Sequence, residues 1–107
     1  MTPEKRIQNA IEKYLSELEK VEPLFYERRQ AGGFSYKKGI PDIYFVYYGQ
    51  HVEVEVKKPG GTLSTMQEKF QEKCKKKHIL WICAESANDV KKVISQIKQK
   101  FLDNIII

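Results

Sequence analysis

Cysteine is scarce in this sequence, with only Cys74 and Cys83 among 107 residues. Two cysteines nine positions apart make neither a metal-ligand pattern nor the framework of a small secreted scaffold. Both are expected as small core residues in a reducing compartment, without a structural disulfide. Long apolar runs are missing as well. No stretch approaches the ~18 residues that read as a membrane span, so no membrane partner is expected. The opening Met1-Thr2-Pro3-Glu4-Lys5-Arg6 has no apolar segment behind it, which argues against a secretory leader. Ile105-Ile106-Ile107 is apolar but too short to span, and is expected to pack on the domain or on a partner subunit. Internal repeats and low-complexity linkers are absent. Acidic residues are outnumbered, 14 against 19 Lys and Arg, for a net charge of +5. That balance favours a polyanionic partner such as nucleic acid. The length suits one domain, residues 1–107.

What the chain does have is concentrated between Gly39 and Lys58. Two runs rich in Val, Ile, Tyr and Phe flank Gly49-Gln50, which predicts a hairpin with its turn there. In the second run Val52, Val54 and Val56 alternate with Glu53, Glu55 and Lys57. A period of two sends the valines to one face and the charges to the other. Alternating charge on a strand is often only a solvated face. Here Asp42 precedes the first strand and Glu55-Val56-Lys57 closes the second, so a hairpin draws two carboxylates and an ammonium together. Such a group suits metal-assisted phosphodiester chemistry. Two carboxylates can hold Mg²⁺, and a nearby lysine can orient water and offset charge on phosphate. Glu53 shares the face of Glu55 and is the rival carboxylate. Tyr44, Phe45, Tyr47 and Tyr48 read as packing rather than base-stacking residues.

The flanks read as regular elements. Ile7, Ala10, Ile11, Tyr14, Leu15 and Leu18 give an apolar stripe over a helix from Pro3 to Glu19, capped by Thr2 with Pro3 at its first position. Glu4 in the first turn complements the helix dipole, and Glu12 falls nearer the polar side. A strand is predicted from Leu24 to Gln30. The following Arg, Lys, Gly and aromatic mixture suits phosphate contact by Arg28, Arg29, Lys37 and Lys38. A glycine-rich loop there could clamp substrate. Lys58, on the opposite face at a strand end, reads as surface charge available to DNA. Ser64 and Gln67 form a capping box for a helix running to Lys76, with Met66, Phe70 and Cys74 as its buried stripe. Lys69, Lys73 and Lys76 on that helix suit a DNA-backbone track. Residues 79–84 form a continuous apolar run, expected as a strand buried on both faces. A last helix is predicted from Asn88 to Leu102. His51 and His78 read as structural. The order α-β-β-β-α-β-α predicts an α/β fold, a mixed sheet flanked by helices.

Gly39-Ile40-Pro41-Asp42, Glu55-Val56-Lys57, Gly61-Thr62-Leu63-Ser64 and Gln67 together resemble the VRR-NUC (virus-type replication-repair nuclease) branch of the PD-(D/E)xK nucleases. The resemblance covers nearly the whole chain and is closest to stand-alone phage-type members. It implies a restriction-endonuclease-like core and Mg²⁺- or Mn²⁺-dependent DNA hydrolysis leaving a 5′-phosphate. In that reading Asp42, Glu55 and the Val56 carbonyl bind metal, and Lys57 orients or activates water. Glu55 is preferred to Glu53, which becomes a supporting or solvated residue. Glu4 would point into the site from the first helix. Gln67 would position water or phosphate, a job expected to exclude capping in the same rotamer. Some members act on branched DNA. Four-way junction or flap cleavage by a homodimer is therefore expected, in the cytoplasm of a bacterial or phage-infected cell, with no small-molecule cofactor. The alternatives are a non-catalytic DNA-binding module with this fold, or a sequence-specific restriction-type enzyme.

Overall fold

The computed structural model describes residues 1–29 and 39–105. Its elements are α1 (Pro3–Glu19), β1 (Leu24–Arg28), β2 (Ile43–Tyr47), β3 (Gln50–Val56), α2 (Thr65–Lys76), β4 (Leu80–Ala84) and α3 (Ala87–Ile105). The four strands form one sheet in the order β1-β2-β3-β4. β1–β2 and β2–β3 are antiparallel, and β3–β4 is parallel. A parallel neighbour needs a crossover, which α2 supplies. The mixed α/β architecture and element order are those the sequence predicts.

One sheet face holds the apolar core. Val52, Val54 and Val56 meet Ile43, Phe45 and Tyr47 there, under Ile11 and Leu15 of α1 and Val90 and Ile94 of α3. α2 lies on the opposite face and contributes the buried Cys74. Three layers result, with β3 between two covered faces. The Thr2 hydroxyl accepts from the Lys5 amide at 3.2 Å, fixing the start of α1.

Several expectations shift. The hairpin turn is Tyr48-Gly49 rather than Gly49-Gln50, and Gln50 pairs with Tyr47. Both turn residues have positive φ, 47° and 77°, the conformation that matches strand twist across a two-residue turn. Tyr48 holds this conformation while its ring stacks on Phe101 at 4.1 Å. β1 ends at Arg28, before Arg29, with Gln30 outside the described residues, and α3 runs longer than predicted at both ends. β4 is an edge strand and not one buried on both faces: Leu80 is 41% exposed. Cys83 on it is exposed, whereas Cys74 is buried, and both are free thiols. Met66, expected in the buried stripe of α2, is 45% exposed. Ile105 is exposed rather than packed, and the two isoleucines after it lie outside the described residues.

α2 ends in a Schellman motif. The Ile79 amide donates to the Cys74 carbonyl at 2.9 Å and the His78 amide to the Lys75 carbonyl at 3.3 Å. His78 occupies the left-handed position with φ 59°, where glycine carries no Cβ penalty. His78→Gly is expected to raise stability by about 0.5–1 kcal/mol in urea unfolding. A loss of stability would show that the exposed imidazole makes a contact worth more than the strain.

Candidate active site

The site lies on the α2 face of the sheet. A hollow of about 470 Å³ elsewhere, between the hairpin turn, β4 and α3, is lined by Tyr48, Leu80, Ile97 and Phe101 among others and contains no carboxylate. The acids gather instead around β3. Register puts Glu53 opposite Tyr44 and Trp81, and Glu55 beside Cys83. Neither glutamate is wet: Glu53 is 4% and Glu55 5% exposed. Their surroundings nevertheless drive them apart.

Glu55 is the strained member. Its Oε2 accepts from the Gln67 Nε2 at 3.3 Å, while Oε1 is buried with no hydrogen-bond partner among the described residues. Burial, with the charges of Asp42 and Glu4 added, pushes its carboxyl up to about 7 against the pull of Lys57. Among the described residues, three acids therefore bear electrostatically on one poorly solvated spot, and the ammonium of Lys57 answers them. Asp42 sits half-buried immediately before β2, and Lys57 immediately after β3. The Lys57 amide donates to the Ala84 carbonyl at 3.1 Å, extending the β3–β4 ladder by one bond and fixing the backbone beside Val56. Glu4, in the exposed first turn of α1, adds its charge to the surroundings of Glu55. Among the described residues no three His, Cys, Asp or Glu side chains form a close metal-ligating cluster. The carboxylates that lie near Glu55 are Asp42 and Glu4.

Gln67 resolves a choice the sequence posed as exclusive. Its Oε1 accepts from the Ser64 amide at 2.9 Å while its own amide donates to the Ser64 hydroxyl at 3.2 Å, closing the capping box. Its Nε2 simultaneously holds Glu55. One rotamer serves both ends, because the two halves of a primary amide face different partners.

Glu53 is neither solvated nor unpartnered. Arg29 grips it with two bonds, Nη1 to Oε1 at 2.6 Å and Nη2 to Oε2 at 2.8 Å. His51 Nε2 lies 2.6 Å from Oε2. Since an ionised carboxylate only accepts, that nitrogen carries the proton. Burial opposes the charge on Glu53, but these bonds outweigh it and hold the carboxyl below its ordinary range. Arg29, expected to face DNA, thus has its guanidinium engaged inside the protein. Arg29 follows the last residue of β1, with β2 between it and Glu53 on β3, so the pairing depends on strand order and has no local signal in the sequence. Gln8, buried on α1 one turn after Glu4 and donating to Glu12 at 3.3 Å, is another polar residue the apolar-stripe reading passed over.

Of the other basic residues expected at DNA, the described ones stand exposed at the surface. Arg28 ends β1 exposed, 4.0 Å from Glu12. Lys58 is exposed just past Lys57, and Lys69, Lys73 and Lys76 are exposed on α2. Their spacing sets these three on the side of α2 away from Gln67 and Cys74, which meet the sheet. Lys37 and Lys38, with the glycine-rich loop, lie outside the described residues.

No family model matches the chain, and no curated protein matches it. Among solved structures, one described as "VRR_NUC domain" superposes with a TM-score of 0.70. The match covers 89% of this chain and 97% of that one, at 21% sequence identity. The chain therefore has the fold of a VRR_NUC domain, the fold its Pro41-Asp42 and Glu55-Val56-Lys57 motifs led one to expect.

Proposed function

We propose that this protein is a Mg²⁺- or Mn²⁺-dependent DNA endonuclease, selective for branched DNA and acting as a homodimer. The observation that carries the reading is the buried Oε1 of Glu55, without a hydrogen-bond partner among the described residues, beside the charges of Asp42 and Glu4. Like charges crowded away from water are costly, and a hard divalent cation relieves that cost. The donor set fits: Mg²⁺ is commonly held by one or two carboxylates and keeps several waters. Asp42 and Glu55 would hold the ion, with the Val56 carbonyl as a third oxygen donor. When bound, the ion supplies positive charge at the scissile phosphoryl group and promotes ionisation of water.

The chain's own residues do the rest. Gln67 fixes the Glu55 carboxylate by one oxygen and leaves the other for the ion. Lys57, at the open end of β3, orients the attacking water and balances charge that develops on the phosphate. Glu4 adds negative potential that favours cation binding. Arg28, Lys58 and the α2 lysines draw the DNA backbone in without reading sequence. Contacts of this kind follow the path of the backbone, so DNA shape is the natural basis of selectivity. A four-way junction is itself two-fold symmetric, and paired cuts across it call for a two-fold dimer.

Cleavage of labelled four-way junction, flap, single-stranded and linear duplex DNA, with Mg²⁺ or Mn²⁺, tests the reading directly. Branched substrates are expected to be cut, with at least ~10²-fold loss in Lys57→Ala. Metal-independent, salt-sensitive binding without cutting would favour the non-catalytic module, and preference for particular linear sequences would favour a restriction-type enzyme. A strictly monomeric protein in sedimentation at micromolar concentration, with and without junction, would end the paired-cut proposal.

Metal-free stability should also depend on pH through Glu55. Its carboxyl holds a proton more tightly in the fold, up to about 7, than its ordinary value of 4.5 allows. The advantage to the fold is therefore complete below about 4.5 and is lost as pH rises to about 7. The melting temperature without metal is expected to fall from pH 6 to pH 8, and Glu55→Gln should flatten the fall. Mn²⁺ should raise the melting temperature more at pH 8 than at pH 6. Equal or absent Mn²⁺ stabilisation at the two pH values would count against Glu55 as a ligand.

A further inference from the structure

β3 carries two buried carboxylates on the site face, and the proposed chemistry uses only Glu55. Glu53 is engaged elsewhere. Its two oxygens receive the two arms of the Arg29 guanidinium at 2.6 and 2.8 Å, and His51 adds a third bond. Arg29 has further work at the same place. Its Nη1 also donates to the Pro41 carbonyl at 2.8 Å, and its backbone amide donates to the Asp42 carbonyl at 2.7 Å. Both carbonyls of the Pro41-Asp42 dipeptide therefore end on one residue.

The topology explains how. Arg28 pairs with Ile43 at the last rung of the β1–β2 ladder, so Arg29 and Asp42 face each other one step beyond it. The guanidinium lies 4.8 Å from the Tyr44 ring centre, and Tyr44 stacks on His51 at 4.9 Å with planes 8° apart. Tyr44 and His51 thus fill the space beside the Arg29–Glu53 fork. Two residues before Pro41 the chain lies against the start of α2: a Cβ on Gly39 would collide with the Met66 carbonyl, and Gly39 has φ 87°. Pro41 is itself fully buried and rigid in φ.

We propose that Arg29, oriented by Glu53, is a positioning residue for Asp42: it fixes the Pro41-Asp42 backbone so that the carboxylates of Asp42 and Glu55 can serve one divalent cation. The inference rests on the reading that those two carboxylates hold such an ion. It divides the labour between two neighbours on one strand. Glu55 faces the cation, while Glu53 sets its partner's position through Arg29. The geometry demands arginine. A planar fork offers two parallel N–H groups to a carboxylate and still has one left for a carbonyl, and an ammonium has no such fixed directions. Supporting residues of this kind matter 10- to 100-fold in metal affinity at other sites.

The test measures Mn²⁺ affinity by the paramagnetic resonance of free Mn²⁺, together with DNA affinity in chelator and thermal melting. Wild type, Arg29→Lys, Glu53→Gln and Tyr47→Phe are compared at a temperature where each is folded by circular dichroism. Tyr47→Phe removes a buried hydrogen bond to Glu22 on the opposite sheet face and controls for lost stability alone. Arg29→Lys and Glu53→Gln are each expected to weaken Mn²⁺ binding by about 10- to 100-fold. Arg29→Lys preserves charge, so metal-free DNA affinity should stay within about threefold. Tyr47→Phe should bind Mn²⁺ like wild type. Wild-type Mn²⁺ affinity in both Arg29→Lys and Glu53→Gln would overturn the inference. So would an equal loss in Tyr47→Phe, which would reduce the effect to general loosening. If the wild type itself binds no Mn²⁺, the cation reading fails first and takes this inference with it.

Discussion

Everything near the site hangs on the register of β3. The strand is covered on both faces, by the α1–α3 layer against Val52, Val54 and Val56 and by α2 over Glu53 and Glu55. Its period of two sorts apolar from charged residues without any further instruction. A slip of one residue would bury the glutamates in the core and expose the valines to α2. The hydrophobic pattern of the core face is therefore also what aims the carboxylates. Fold and site share one constraint, and the two-residue turn at Tyr48-Gly49 enforces it from the hairpin end.

That sharing explains what the sequence made legible. The alternation in β3, the Pro41-Asp42 before β2 and the capping signature of α2 are local patterns with a definite period or spacing. They drew Asp42, Glu55 and Lys57 together and marked Gln67 as a capping residue, whereas a place for Gln67 beside the carboxylates came only from the family resemblance. What stayed hidden depends on position within the sheet and on pairing across it. The run from Ile79 to Ala84 looks the same in a central strand as at an edge. Only strand order, with β4 last, leaves Leu80 and Cys83 exposed. Likewise a basic residue near a nuclease-like motif reads as a DNA contact. That Arg29 instead grips Glu53, 24 residues away, is a property of the β1–β2–β3 pairing. The turn shifted by one residue for a similar reason. Glycine signalled the turn but not which side of it the second positive-φ residue would occupy, and the stacking partner of Tyr48 lies far along the chain in α3.

The two glutamates also show how one environment yields opposite electrostatics. Both are buried on the same face of the same strand. The donors around Glu53 hold its carboxyl below the ordinary range, whereas Glu55 has one amide donor among the described residues and two acidic neighbours, Asp42 and Glu4. A fully satisfied carboxylate is a structural part, because its interactions are already made. A half-satisfied one retains capacity for another partner. The difference between strut and ligand is set by the donors around each group, since the residue type and the burial are the same.

Gln67 has a consequence for when such a site can exist. Its side chain closes the first turn of α2 and holds Glu55 in the same conformation. The helix start and the carboxylate are thus set in one step. A chain whose second helix has not yet formed presents Glu55 without its tether, on a strand whose outer face lacks its cover. Any hydrolytic capacity the protein has would then depend on the first turn of α2 being formed, and a copy frayed there would hold Glu55 without its tether. The safety catch, on this view, is the helix cap itself.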